Sequence, residues 1–282
     1  MMTAWRKGKA KANRLLGNTP PDVCIMVHEP THPSLPSFPY DIVEIIIAHL
    51  TRHCDTLKAC SLTCRSWYTI ATPHLHHTLT LTGGGPHSQL EPLAKLCGLG
   101  LAHLVREVRV KSRRRGADSW FIPQTINLGL HQFSSLTNVH TLKLENVEIF
   151  RFMPSVANFF GHFSRTVRSI TLSDPCCSPE QLSHFLSLFS LLDDIEIRNT
   201  YITPNIPGTE LVPFFAPRLR GRLTLYNSSW VETWRNLISS SGLRFRYVDL
   251  RRVPSCAPVL LEACAETLET LRLDARDDLV SE

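Results

Sequence analysis

A three-residue pattern, apolar–polar–apolar, returns along most of this chain. It reads LTL at 79–81, VRV at 108–110, LKL at 142–144, ITL at 170–172, IEI at 195–197, LTL at 223–225, VDL at 248–250 and LRL at 271–273. Measured at the last residue of each, successive copies stand 29, 34, 28, 25, 28, 25 and 23 residues apart. Alternation at a period of two is the signature of a strand with one face in the core. One strand per few tens of residues is the signature of stacked units, none of which can bury its own apolar side alone. The intervals carry helix signals. Ser178, with Pro179 and Glu180 behind it, is a good cap for SPEQLSHFLSLFSLL, and APVLLEACAETLETL and VETWRNLISSS are similar in kind. Strands alternating with helices predict parallel pairing and right-handed crossovers. The expected fold over 78–282 is therefore α/β: a right-handed solenoid with a curved parallel sheet. The triplets' apolar residues should face its core and their polar residues the concave surface.

The amino end is different. Pro20, Pro21, Pro30, Pro33, Pro36 and Pro39 crowd residues 17–39, where they remove backbone donors and block helix. Arg6, Lys7, Lys9, Lys11 and Arg14 precede them, so residues 1–34 read as a basic, solvated tail and linker. Lys111, Arg113, Arg114 and Arg115 form a second basic cluster, placed by the triplet before it in an exposed loop after a strand. The formal net charge is +5 and Trp120 and Phe121 follow that cluster, but so few aromatics make a weak nucleic-acid cue. No stretch nears the roughly 20 apolar residues of a membrane helix. Nine scattered cysteines with no framework spacing read as reduced thiols.

Between tail and repeats, residues 35–77 read as helical. YDIVEIIIAHL places Ile42, Ile45, Ile46, His49 and Leu50 on one face, with Pro39 and the Asp41/Glu44 pair as a start signal. Leu57, Cys60, Cys64, Trp67 and Ala71 then recur at steps of 3, 4, 3 and 4, which predicts one amphipathic helix. Two such short helices cannot hide their apolar faces alone and need a cover. Cys60 and Cys64 lie one turn apart, yet neither His49, His53 and Cys54 nor His74, His76 and His77 supply a second ligand pair at zinc spacing. They read as small core hydrophobes and no metal is expected. TGGGPHS at 82–88 lacks the Lys-Ser/Thr of a phosphate-binding loop, and no nucleophile elbow or dinucleotide fingerprint occurs. Nothing in these motifs supports an enzyme, and no cofactor is expected.

The stretch SFPYDIVEIIIAHLTRHCDTLKACSLTCRSWYTIA resembles the F-box. Phe38-Pro39 stands for the family's Leu-Pro; Ile42, Ile45, Ile46 and Leu50 fill its first helix; Leu57 and Leu62 fall on the second; Cys64 and Trp67 supply its Cys-x-x-Trp. The triplets, with Val105, Val139, Val167, Leu192, Phe245 and Leu268 three residues before most of them, resemble the L-x-x-L-x-L strand of leucine-rich repeats. The sixth unit departs, with Arg220 there and Leu219 beside it. F-box followed by degenerate repeats is an arrangement familiar among fungal F-box proteins. The family's asparagine after the strand is missing: Val147, Pro175, Thr200, Ser228, Val253 and Arg276 stand in its place, so no asparagine ladder is expected.

The resemblance implies a substrate-recognition subunit of an SCF-type cullin–RING ubiquitin ligase, in the cytoplasm or nucleus. Phe38, Pro39, Ile42, Ile45, Ile46, Leu50, Leu57, Leu62, Cys64 and Trp67 would bind a Skp-family adaptor and, through it, a cullin. An unknown target protein would meet the polar face of the repeats; no membrane or nucleic-acid partner is assigned. Tyrosine and arginine are the usual energetic anchors at interfaces, which singles out Arg198, Tyr226, Tyr247, Arg251 and Arg272. The alternative is a non-catalytic repeat scaffold, or a nucleic-acid-associated protein, outside any ubiquitin ligase. The last repeat ends in DARDDLVSE, a brief polar cap, and should be the least protected.

Overall fold

The computed structural model describes residues 38–82, 86–112, 133–147, 160–199, 201–202, 219–227, 244–252 and 257–274. The basic tail, Arg113–Arg115, Trp120, Phe121, the three glycines at 83–85 and the VETWRNLISSS segment lie outside them.

Three helices come first: α1 (Tyr40–His49), α2 (Cys54–Ser61) and α3 (Arg65–Leu75). The single helix expected over 57–71 is in fact two. The chain leaves α2 at Leu62, and Cys64 is extended (φ −158°, ψ 172°) ahead of α3. Local side chains favour this break. The Ser61 hydroxyl donates to the Lys58 carbonyl and the Thr63 hydroxyl to that of Cys60, capping carbonyls that a continuing helix would use. The 3–4 periodicity survives the break because α3 packs against both α1 and α2. Val43, Ile47, Leu57, Cys60, Ile70 and Ala71 form a small core of their own, flanked by Leu50, Trp67 and Leu75.

The eight triplets are eight strands: β1 (Thr78–Thr82), β2 (Glu107–Lys111), β3 (Thr141–Glu145), β4 (Ser169–Ser173), β6 (Asp194–Arg198), β8 (Arg220–Tyr226), β9 (Arg244–Arg251) and β10 (Thr270–Asp274). They form one parallel sheet in chain order, and two-residue strands β5 (Cys176–Cys177) and β7 (Tyr201–Ile202) pair separately. Between β1 and β2 runs α4 (Pro86–Gly98), a helix that tolerates Pro92 within it. α5 (Pro179–Ser187) follows β5 and α6 (Ala257–Cys264) follows β9. The chain is thus α/β, with six α-helices among the described residues.

Register explains why the triplets recur. Leu79, Val108, Leu142, Ile170, Ile195, Leu223, Val248 and Leu271 lie side by side, as do Leu81, Val110, Leu144, Leu172, Ile197, Leu225, Leu250 and Leu273. All but Leu271 and Leu273 are buried in one continuous core. Val105, Val139, Val167, Leu192, Leu219 and Phe245 are buried behind the strand starts, so Leu219 takes the place that Arg220 seemed to occupy. Phe160, Phe185 and Phe189 fill the space behind β4 and β6 with three edge-to-face contacts, centroids 5.1–6.1 Å apart. Ser178 caps α5 as expected: its hydroxyl accepts from the Gln181 amide, and the Gln181 side chain accepts from the Ser178 amide.

Backbone ladders close both ends of the strands. The carbonyls of His77, Arg106, His140 and Arg168 each accept two amides from the following unit, at 2.8–3.1 Å. At the exit, Asn146, Asp174, Asn199, Asn227 and Arg252 all adopt φ near +50° to +56°, and each donates its amide to the next strand's last carbonyl. Asparagine and aspartate tolerate this left-handed conformation better than other side-chain-bearing residues. An asparagine contact does exist, one position earlier than the family spacing: Asn227 Nδ2 donates to Asn199 Oδ1 at 3.2 Å. Among the described residues Cys54, Cys60, Cys64 and Cys264 are free thiols, and no helix is long and apolar enough to cross a membrane.

Candidate functional site

Two surfaces carry the residues singled out from sequence. The first is on the helical unit. Alternate faces of α1 behave oppositely: Val43 and Ile47 turn inward, while Ile42, Ile45 and Ile46 are exposed. Residues 42, 45 and 46 share one face of the helix by its 3.6-residue period. Tyr40, Leu62 in the α2–α3 break and Tyr68 on α3 are also exposed; Leu62 keeps 85% of its surface in contact with solvent. Phe38, Pro39 and Cys64 are exposed, and Leu50 and Trp67 are half-buried against the small core. Leu57 is different: it is fully buried in the helical core. It is a structural residue, since its side chain reaches no surface, and that corrects its assignment as an adaptor contact. Tyr40 and Tyr68 were missed because neither falls in the apolar stripe that periodicity picks out.

Cys60 is buried in the helical core and Cys64 is exposed at the start of α3. Among the described residues no group of three or more His, Cys, Asp or Glu could hold a metal ion.

The second surface is the polar face of the sheet. Its middle row runs Thr80, Arg109, Lys143, Thr171, Glu196, Thr224, Asp249 and Arg272, and the row beside it Thr82, Lys111, Glu145, Ser173, Arg198, Tyr226, Arg251 and Asp274. Much of this charge is paired within the face. Glu107 is buried under Arg109 and Lys143, with Lys143 Nζ at 2.9 Å. Burial alone would raise its pKa, but hydrogen bonds from Lys143 and Arg109 outweigh that and hold the carboxyl below its ordinary value. Lys111 pairs with Glu145 at 2.7 Å, and Arg198 donates Nε to Glu196 at 2.7 Å. Arg251 grips Asp249 with two bonds, 3.0 and 2.8 Å, and that carboxylate is almost fully buried. Glu107 and Asp249, which alternation places on the outward side, are thus ion-pair anchors.

Of the five anchors proposed from sequence, Arg198 and Arg251 are committed to neighbouring carboxylates and Arg272 is exposed on β10. Tyr247 and Tyr226 are half-buried, each with an arginine over its ring: Arg222 at 4.4 Å and Arg252 at 5.8 Å. Sequence reading did not single out Arg222, Arg246 or Arg252 as anchors. The runs RLRGR and RFRYVDLRR were its only signal.

At the strand entries, His140 Nδ1 lies 3.1 Å from the Thr166 carbonyl and its Nε2 lies 3.2 Å from Arg106 Nη1. A carbonyl only accepts and a guanidinium only donates, so the ring sits with an acceptor at its Nδ1 side and a donor at its Nε2 side.

Compared with known families, residues 35–77 match the F-box domain. The match ends at the residue before β1 and takes in α1, α2 and α3. F-box domains bind Skp-type adaptors in SCF ubiquitin ligase complexes, and the match suggests such a role for this unit. No curated protein matches the chain.

Proposed function

We propose that the chain is a substrate-recognition subunit of an SCF-type cullin–RING ubiquitin ligase. Its helical unit takes the Skp-family adaptor, and the polar face of the sheet takes a target protein. In this reading residues 78–282 are a degenerate leucine-rich-repeat solenoid of the kind that follows the F-box in fungal proteins, residues 35–77 are the F-box and residues 1–34 a tail. The chain brings no catalytic group of its own, and it works in the cytoplasm or nucleus.

The observation that carries the adaptor half is the exposed apolar face of α1. Three isoleucines stay in solvent while Val43 and Ile47, on the same helix, complete a core. Each large apolar side chain covered by a partner contributes roughly 1.5–3 kcal/mol, and an amphipathic partner helix is a natural cover for such a face. Leu50, Leu62, Cys64 and Trp67 would extend the contact. The target half rests on the ordered rows of charge and tyrosine on the sheet.

Capture of purified Skp adaptor by the full chain tests this. Ile45→Asp and Leu62→Asp are expected to weaken capture at least tenfold, about 1.4 kcal/mol, with stability changed by no more than about 0.5 kcal/mol, as for other surface substitutions. Leu57→Ala should instead destabilise the helical unit by about 2–5 kcal/mol. A folded Ile45→Asp/Leu62→Asp chain that still captures the adaptor at full strength would overturn the adaptor assignment.

A further inference from the structure

The entry end of β8 and β9 brings like charges together. In register, Arg220 stands directly opposite Arg244, both exposed. Adjacent strands lie about 4.8 Å apart, and like charges set directly opposite destabilise a pair. Where Arg109 stands opposite Lys143, by contrast, Glu107 pairs with both. Here, among the described residues, neither Arg220 nor Arg244 meets such a carboxylate. Two more arginines crowd the same end. Arg222 follows one step into β8, and Arg246 is the extra residue of β9 where the register shifts between Gly221 and Arg222. Arg246 has only a loose, exposed contact to Glu269 at 3.7 Å.

The backbone is built to hold this arrangement. Gly221 has φ +94°, and a Cβ there would stand 2.5 Å from the Asp193 carbonyl oxygen. That same carbonyl accepts the Arg222 amide at 2.9 Å. The shift therefore has a fixed place, and it sets four guanidinium groups on two adjacent strands. Asp194, on β6, is in register with Arg222 but is joined to it by no ion pair. Arg222 instead lies over Tyr247.

We propose that Arg220, Arg222, Arg244 and Arg246 form an oxyanion-binding cluster that takes an acidic segment of a protein partner. Guanidinium forks bind carboxylate and phosphate bidentately, and an incoming oxyanion between Arg220 and Arg244 turns their repulsion into attraction. A nucleic acid fits less well. Strand-binding surfaces offer open aromatic faces to bases, whereas Tyr247 and Tyr226 are already covered by Arg222 and Arg252. The inference rests on the sheet face being the partner-binding surface, and it does not depend on the adaptor.

Fluorescence anisotropy with the full chain tests it, using three labelled probes: a glutamate-run peptide, the same peptide with phosphoserines in place of glutamates, and a single-stranded RNA of equal charge. We expect one or both peptides to bind more tightly than the RNA. Arg220→Ala/Arg244→Ala should weaken that binding at least tenfold and flatten its dependence on salt. The tighter peptide identifies the source of the oxyanion. The same variant should melt at an equal or higher temperature, because the unfavourable opposition is gone; an arginine pair placed only for solubility would leave peptide affinity unchanged. Equal peptide affinity in wild type and variant, or tighter binding of RNA than of both peptides, overturns the proposal. Adaptor capture by the variant is read in parallel. If capture persists while peptide binding is unaffected, the arginine cluster fails and the adaptor assignment stands; if capture fails in wild type, the adaptor assignment fails whatever the peptides do.

Discussion

Gly221 and Glu107 are the residues at which the sheet is least tolerant. At Gly221 the left-handed backbone and the 2.5 Å approach to the Asp193 carbonyl leave no room for a methyl group. Gly221→Ala should lower stability by more than about 1 kcal/mol in urea titration. Gly98→Ala, where nothing lies within 4 Å of an added Cβ, is the control and should stay within about 0.5 kcal/mol. Glu107 ties unfolding to acid. Its folded pKa lies below its ordinary 4.5, so its contribution is complete above that value and is lost as pH falls through the lower folded one. Glu107→Gln should remove part of the acid sensitivity below about pH 4.5 and leave Arg109 and Lys143 less firmly held. Denaturant midpoints taken across that window will show whether the two curves converge at low pH; parallel curves would contradict the linkage. Neither residue was legible beforehand. Sequence marked Glu107 as outward by alternation, which is true of its direction. That two cations would fold over it follows from a neighbour 36 positions along the chain.

Among the elements, β10 is set apart. In the other seven strands the inward pair is buried, but Leu271 is 41% and Leu273 56% exposed, and β10 pairs on one side only, with β9. Few buried contacts and solvent-facing hydrogen bonds mean low local stability. Amide exchange in β10 should therefore be the fastest of the eight strands and that in β4, paired on both sides over a full core, among the slowest; protection in β10 equal to that in β4 would refute this. The eight strands themselves were legible, because a period-two pattern repeated eight times leaves few other ways to bury both apolar residues. The α2–α3 break was not. Its apolar spacing is that of one helix, and the decision fell to short hydroxyl contacts at Ser61 and Thr63 that a hydrophobicity pattern does not register. The asparagines that turn the chain after the strands were overlooked for a related reason: the expected spacing pointed one residue too late.

Over the whole molecule, the amino-acid order determined the parallel sheet, the alternation of strand and helix, and the short helical stretch ahead of the sheet. These are local periodicities, and each residue in them acts through neighbours a few positions away. Tertiary structure alone decided which apolar residues stay in solvent and which charges are already spent. Ile45 and Leu57 look alike in a sequence, yet one is exposed and the other is core, because α3 packs over Leu57 on α2 but leaves the Ile45 side of α1 uncovered. Arg251 and Arg244 look alike too; one holds a buried aspartate two residues away, and the other faces an arginine on the next strand. Burial and pairing are set by which segments the fold brings together, and that depends on contacts between residues far apart in the chain.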